Sequence, residues 1–551
     1  MSEQELKLHI PHSARVGVER ELRRGNVTRI RLRALYFDTP SRQLVKARVA
    51  LRLRQEGRQW VQTLKMPGEH VLSRVEINHD RPGPVLDLSV YVGTVAESAI
   101  SSLTESLGVC YETDVVRILR KVRTRQGSVE IAFDTGCLRA GKLELPISEI
   151  EFELLTGKLE AVFDLGRKWQ KNHGLILDAR SKSERGDQLA LLAQKLLSIE
   201  NQPEDTQSSL RAAAIAQFWS PRGSVPVTLS ADMSSEQALT TATLECIDQI
   251  TRNAAILTEV DTAHICKAGT AEHTHQLRVG IRRLRSLWSL FNGITPLPSL
   301  ELREAIKKHF SLLGGTRDDD VLNETILPVL RAAGQPLLVI DHQADPCEPL
   351  NAVAASVDFQ SWLLAVLESA LIPTRNTGAV SLRVTEASEK SLSEGAADTT
   401  GPIDAHIIPM QQLTPKLKPQ RELTLEQALV SKLRKWHRQV LRDGLKFHTL
   451  EIEPRHALRK LAKKLRYALQ FSEALLPAAR LKHYRKQLAV VQDILGEMND
   501  LAVARERFVA LRDTQPSAWF ACGWITSRLD ALVLDATEAF KQLGKTPRFW
   551  R

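Results

Sequence analysis

The sequence predicts an α+β, multidomain chain: a closed antiparallel β-barrel followed by an all-α, internally duplicated helical-bundle domain. Three observations carry that expectation. Residues 1–200 repeatedly alternate apolar and charged side chains at period two, as strands do. From residue 235 onward the apolar spacing turns helical over long stretches. Within that helical half one local motif occurs twice at nearly the same internal distance.

The elements follow in chain order. Strands are expected at 2–10, 28–38, 47–56, 58–66, 71–79, 115–125, 128–135 and 147–155. A helical stretch at 94–108 interrupts them, and a leucine-spaced helix at 185–198 closes a first domain of residues 1–198. Ser, Gln, Pro and Asp dominate 199–230, which reads as a linker. Amphipathic helices are expected at 235–260, 272–293, 300–314, 424–445, 453–475, 479–496 and 499–512, inside a helical domain of 231–515. Part of 333–422 has loop composition, as in Glu394-Gly-Ala-Ala-Asp-Thr-Thr-Gly-Pro402, and 516–551 forms a C-terminal helical segment.

Bulk properties narrow the class. A chain of 551 residues exceeds one ordinary core, so two or three domains are expected. The net charge of +10 points to anionic partners. Cys110, Cys137, Cys246, Cys266, Cys347 and Cys522 lie far apart with no CxxC pair, which argues against zinc ribbons and a disulfide framework. No apolar run approaches the roughly 20 residues that span a bilayer. The N-terminus lacks the apolar core of a signal peptide, so a cytoplasmic protein with no membrane partner is expected.

Charges recur on one face of strand after strand. Glu3, Glu5 and Lys7 alternate with Leu6 and Leu8; Arg52 and Arg54 alternate with Leu51 and Leu53. Arg74 and Glu76 share a face, as do Glu130 and Asp134. Glu149, Glu151 and Glu153 form the longest ladder, against Ile150, Phe152 and Leu154. Like charges side by side are unfavourable unless a cation or guanidinium neutralises them. A closed barrel with a charged interior and an apolar exterior covered by helices satisfies both faces.

These residues fall into a recognisable order. The ExExK start, Tyr36-Phe-Asp-Thr39, Ala50-Leu-Arg-Leu-Arg54, Thr63-Leu-Lys65, Arg74-x-Glu76, Ile131-Ala-Phe-Asp134, Ser148-Glu-Ile-Glu-Phe-Glu153 and Ser181-Lys-Ser-Glu-Arg185-Gly together resemble the CYTH family, the triphosphate tunnel metalloenzymes. The resemblance implies a barrel of about eight antiparallel strands that hydrolyses triphosphates with Mg2+ or Mn2+. Carboxylates suit those ions, so Glu3 and Glu5 are expected to hold metal with help from Glu149, Glu151 and Glu153; which of these three bind stays open. Lys7, Arg52, Arg54, Lys65, Arg74, Arg117, Lys182 and Arg185 are expected to contact phosphate. Glu5, Lys7, Asp134 and Glu151 are the candidate catalytic groups, Asp134 as a ligand of metal or water. Tyr36 and Asp38 read as structural, at a strand end.

In the helical half, His275, Arg278, Arg282 and Arg285 share one helix face, and His456, Arg459, Lys463 and Arg466 repeat the pattern. Downstream, Asp318 follows His275 by 43 residues and Asp500 follows His456 by 44, within Leu313-Gly314-Gly-Thr-Arg317-Asp318 and Leu495-Gly496-Glu-Met-Asn499-Asp500. Two basic stripes make a surface that holds a polyanion through charge and counterion release. The pattern resembles the CHAD family, which implies paired helical bundles with a basic groove for inorganic polyphosphate. The second copy departs with Asn499 in place of arginine and with Lys460, Lys463 and Lys464; ammonium groups still bind phosphate as point charges. Asp318 and Asp500 read as braces for the basic helices.

Other signals are weaker. Gly544-Lys545-Thr546 lacks the upstream glycine and strand of a P-loop. Asp318-Asp-Asp320 suits solvation of a helix or loop better than a metal. An aromatic content of 5%, with no RNP-type motif, disfavours nucleic acid. The expected activity is hydrolysis of tripolyphosphate to pyrophosphate and phosphate, beside a polyphosphate-binding domain. The alternatives are a triphosphatase for an organic substrate (thiamine triphosphate or a nucleotide) and a non-enzymatic polyphosphate-binding or granule-targeting protein.

Overall fold

The first strand shows how the sequence builds the barrel. In β1 (Ser2–His9) Leu6 and Leu8 are buried outside the barrel wall, while Glu5 and Lys7 turn inward. The structure, a computed structural model, describes residues 2–68, 72–258, 260, 265, 269–313, 321–336, 349–372 and 423–550. Gly314, Arg317, Asp318 and most of 333–422 therefore lie outside the described residues.

Seven further strands complete the wall: β2 (Thr28–Asp38), β3 (Ala50–Glu56), β4 (Gln59–Pro67), β5 (Ser73–Arg81), β6 (Gly108–Arg123), β7 (Gly127–Ala140) and β8 (Leu143–Gly157). They pair antiparallel in the order β5-β4-β3-β2-β6-β7-β8-β1, and β1 pairs back onto β5, closing an eight-stranded barrel. A two-residue strand, β9 (Ile176–Leu177), adds to the outside of β1. Strands β6, β7 and β8 run longer than their alternation predicts. Residues 94–108, expected to be helical, hold only a short helix at Glu97–Ser101.

Helices cover the apolar outside of part of the wall. Helix α1 (Arg15–Leu22) follows β1; α2 (Gln43–Lys46) and α3 (Glu97–Ser101) are short. Helix α4 (Glu160–His173) packs Val162, Phe163 and Trp169 into one core with Leu6, Leu8, Ile131 and Phe152. Helix α5 (Lys182–Ile199) instead lays Leu189 and Leu192 against Val115, Leu138 and Ile147, which share the inner strand faces with Arg117, Asp134 and Glu149. No helix covers the outer face of β2, and there the pattern inverts: Leu32 and Ala34 face inward, while Arg31 and Arg33 reach outward to Asp114 and Glu112 of β6. The expectation of charge on every inner face fails at this strand because its outer face meets water.

Residues 199–230, expected as a linker, contain α6 (Glu204–Phe218), which buries Ala214 and Phe218 against the α5 layer. Its polar composition marks the exposed face of a helix. The helical half then runs through α7 (Ser235–Leu257), α8 (Ala271–Phe291), α9 (Leu300–Leu312), α10 (Leu327–Ala332), α11 (Leu350–Ala355), α12 (Val357–Leu371), α13 (Leu425–Gly444), α14 (Ile452–Phe471), α15 (Ala478–Leu511) and α16 (Ala518–Lys545). The separate helices expected at 479–496 and 499–512 are one, α15, since Asn499 and Asp500 continue it without a break. The core of α4 is continuous with that of α7, α8 and α12, so the two halves share apolar packing. No described helix is long and apolar enough to cross a membrane. Cys110, Cys137, Cys246 and Cys522 are free thiols.

Gly186 sits where α5 crosses β6, and a Cβ there would collide with the Tyr111 ring. Gly186→Ala should cost about 1–3 kcal/mol by overpacking. Denaturant unfolding checks this, and unchanged stability would contradict the packing of α5 described above.

Candidate active site

The barrel encloses a tunnel of about 880 Å³. Period-two alternation aims Glu3, Glu5 and Lys7 of β1, Arg52 and Arg54 of β3, Lys65 of β4, Arg74 and Glu76 of β5, Arg117 of β6, Glu130 and Asp134 of β7, and Glu151 and Glu153 of β8 into it. Register sets the neighbours. Glu5 lies opposite Glu153 and Lys7 opposite Glu151; Asp134 lies opposite Arg117 on one side and Glu149 on the other.

The carboxylates divide into two sets. Asp134, Glu149 and Glu151 bring ligand oxygens within 4.8 Å of one another, an acidic cluster of the kind that can hold a metal. A cation from the chain already stands among them. Lys182, at the start of α5, places Nζ 2.7 Å from both Asp134 Oδ2 and Glu151 Oε1 and also contacts Glu149. Arg117 donates to both oxygens of Asp134 at 2.7 and 2.6 Å and to Glu151 at 2.7 Å; Arg185 donates to Glu149 at 2.6 Å. Burial pushes the Glu151 carboxyl up, but Lys182 and then Arg117 outweigh it and bring it to about 2. Against the same burial, Lys182 and Lys7 hold Glu149 below the usual carboxylate range, and Lys182 and Arg117 do so for Asp134.

The second set lacks that compensation. Burial, and next a hydrogen bond with Glu76, push Glu3 up to about 8. Burial and then Glu151 raise Glu5; burial, Glu5 and Glu130 raise Glu153. Lys65 reaches Glu3 at 3.3 Å and Glu76 at 2.5 Å, one ammonium shared by two carboxylates. Crowded carboxylates that resist ionisation fit a divalent cation, which takes oxygen ligands and supplies the missing positive charge. By this chemistry Glu3, Glu5 and Glu153 suit a metal better than the Lys182-filled cluster.

Most of the predicted residues converge on this tunnel, with exceptions. Glu149 is 2% exposed and, like Arg185, is buried in ion pairs beside the tunnel and does not line it. Lys7 turns toward the Arg180 carbonyl and lies 3.7 Å from Glu149. Tyr36, read as structural, lines the tunnel, stacks on Tyr111 at 4.5 Å and accepts from Arg52 Nη1 at 3.4 Å. Asp38 accepts the backbone N–H groups of Thr39, Leu44 and Val45, the turn role expected of it. Glu76 and Glu130 were given no site role, yet both line the tunnel. Their signal was present: each shares a strand face with an assigned neighbour, Arg74 and Asp134.

The basic stripes lie on α8 and α14, which pack together. Arg278, Arg282 and Arg285 stand 4.8, 6.0 and 5.8 Å from the ring centre of Phe310. Burial first, then Arg459, Arg282 and Arg466, push the Lys463 ammonium down to about 7, with Asp500 opposing them. Repulsion between Arg282 of one copy and Lys463 of the other means that the stripes meet in one cationic region. His456 is lowered by burial and then by Lys460 and Arg459, so it belongs to the same field. His275 and Arg466 complete the two stripes on their helices.

Family models match residues 1–186 as a CYTH domain and residues 242–509 as a CHAD domain. The chain carries a CYTH domain followed by a CHAD domain. All eight barrel strands lie within the CYTH match and both basic stripes within the CHAD match. The chain is 31% identical over 195 residues to an inorganic triphosphatase of Haemophilus influenzae, an alignment covering 33% of this chain and 54% of that protein. It thus spans about half the length of that curated relative. Among solved structures it is similar to the CHAD domain from the plant Ricinus communis, with 22% identity, 60% and 99% of the two chains covered, and a TM-score of 0.42. A Hippeastrum adenylyl cyclase homologue, described as having a dominant triphosphatase activity, aligns with 19% identity over 34% and 95% of the chains at a TM-score of 0.28.

The CYTH tunnel makes a pH prediction. Without metal, Glu3 keeps its proton until about pH 8, and a cation must displace that proton to use the carboxylate. Affinity for Mn2+ should therefore fall as pH drops from about 8 to about 6, with proton release on binding. Calorimetry in buffers of different ionisation enthalpy measures both, and pH-independent affinity without proton release would contradict the assignment.

Proposed function

We propose that the CYTH tunnel hydrolyses inorganic triphosphate to pyrophosphate and phosphate with a divalent cation, Mg2+ or Mn2+. One observation carries this reading: a single closed tunnel joins Arg52, Arg54, Lys65, Arg74 and Arg117 to the under-neutralised carboxylates Glu3, Glu5 and Glu153. The guanidinium groups fit phosphate oxygens as forked donors, and Lys65 adds a point charge. Burial and then Arg52 lower the Arg54 guanidinium to about 10, the repulsion expected of cations gathered for an anion. A cation held by Glu3, Glu5 and Glu153 would supply charge neutralisation and an acidified water. The chain's own part is positional, since phosphoryl transfer needs in-line geometry and charge stabilisation more than covalent help. Asp134, locked by Arg117 and Lys182, orients those two cations; Lys7 and Glu151 support them from β1 and β8. The apolar inner face of β2, with Ile30, Leu32 and Ala34, offers little to a nucleoside's polar edges, which favours a bare phosphate chain over an organic triphosphate.

Phosphate release from tripolyphosphate, ATP and thiamine triphosphate with Mg2+ or Mn2+ tests the reading. Wild type should prefer tripolyphosphate, and Glu5→Gln should lower kcat by about a hundredfold or more. Wild type with no metal-dependent release from any of the three would leave a triphosphate-binding protein in place of an enzyme.

The CHAD half, in the same reading, binds inorganic polyphosphate along the joined stripes of α8 and α14. Six arginines and lysines on two helices, with His275 and His456 at their starts, support this assignment through charge alone. Arg282→Ala with Lys463→Ala should weaken polyphosphate binding and flatten its salt dependence by roughly one unit per lost contact. A titration at several salt concentrations reads both, and an unchanged slope, or a preference for duplex DNA, would count against the groove.

A further inference from the structure

Helix α7 of the CHAD half reaches the CYTH tunnel. Leu244, Ile247, Asp248, Thr251 and Arg252 contribute to the tunnel wall beside the first turn of α5. That turn carries the cations of the acidic wall. Lys182 and Arg185, three residues apart, share the face turned to the barrel, and Glu184 points the other way, toward α7.

Arg252 takes Glu184 in a forked contact, with Nη2 donating to Oε2 at 3.0 Å and Nη1 bonded to Oε1. Its Nε donates to Asp248 Oδ1 at 2.5 Å, and Arg222 Nε donates to Asp248 Oδ2 at 3.0 Å. Both planar ends of Arg252 are therefore committed, one to α5 and one to its own helix. The turn it grips is otherwise set by a Ser181 Oγ cap on the Glu184 N–H at 3.1 Å and by Tyr111 donating to the Ser183 carbonyl at 3.0 Å. We propose that Arg252 is a positioning residue for the tunnel: through Glu184 it holds the turn that delivers Lys182 and Arg185 to the acidic wall. The CHAD half is then part of the triphosphate site's construction as well as a second binding surface. The inference rests on the triphosphatase reading above.

The full-length chain tests it. Arg252→Ala should raise KM for tripolyphosphate about tenfold with a smaller fall in kcat. Glu184→Gln, which keeps the side chain's size, should do the same, and the double variant should be no worse than either single. Arg252→Lys, which keeps the charge, should recover part of the loss. Calorimetric titration with tripolyphosphate in the absence of metal should show the same ordering of affinities. If both single variants keep wild-type KM and affinity and lose only melting temperature, Arg252 is a plain brace between halves and the proposal is wrong. A wild type that binds tripolyphosphate without hydrolysing it would overturn the triphosphatase reading, and the binding titrations would still decide on Arg252. A wild type that does neither overturns both.

Discussion

Everything in the CYTH half depends on neutralising the negative charge that a closed barrel forces together. Antiparallel pairing of β1, β7 and β8 brings Glu5, Glu130, Asp134, Glu149, Glu151 and Glu153 onto adjoining positions of one inner wall. A barrel has no edge through which a strand could slip to relieve the crowding, because a one-residue shift would turn Leu6, Leu8, Ile150 and Phe152 inward. The charge must be met from elsewhere. Lys182 and Arg185 of α5 and Arg117 of β6 meet it for Asp134, Glu149 and Glu151, and Glu3, Glu5 and Glu153 are left short. The same constraint thus gives both an ion-paired wall and the place proposed above for a divalent cation.

The packing around the barrel serves this arrangement. Gly186 lets α5 lie against Tyr111, the Ser181 cap fixes its first turn, and Leu189 and Leu192 bury its far side. Helix α4 fills the layer between the barrel and α12, so the CHAD half is attached through an apolar core that runs from Leu6 to Leu364. The ion pair from Arg252 to Glu184 crosses the same junction. The proposed polyphosphate surface and the proposed triphosphate tunnel are thereby parts of one packed body.

Much of this was legible in the sequence because its causes are local. Alternation at Glu3–Leu8 and Glu149–Leu154 reveals both the strands and the direction of their charges, and the repeated His275 and His456 stripes reveal the duplication. What escaped depends on what covers each face. Nothing local in Arg29–Arg33 says that β2 turns its arginines outward; the missing helix layer decides it. Helix α6 hid behind Ser and Gln because one narrow stripe, ending in Phe218, is all it buries. Glu149 carries the same ladder signal as Glu151 and Glu153, and nothing local shows its ion pairs. Its partners Lys182 and Arg185 come from a helix more than thirty residues away, and only the fold brings them to it.

The most direct measurement is anomalous scattering from crystals grown with Mn2+ and tripolyphosphate. The account predicts Mn2+ in the tunnel against Glu3, Glu5 or Glu153, with Lys182 still among Asp134, Glu149 and Glu151 and the phosphates on Arg52, Arg54 and Arg117. Mn2+ seated between Asp134, Glu149 and Glu151 with Lys182 displaced, or absent from the tunnel altogether, would contradict it.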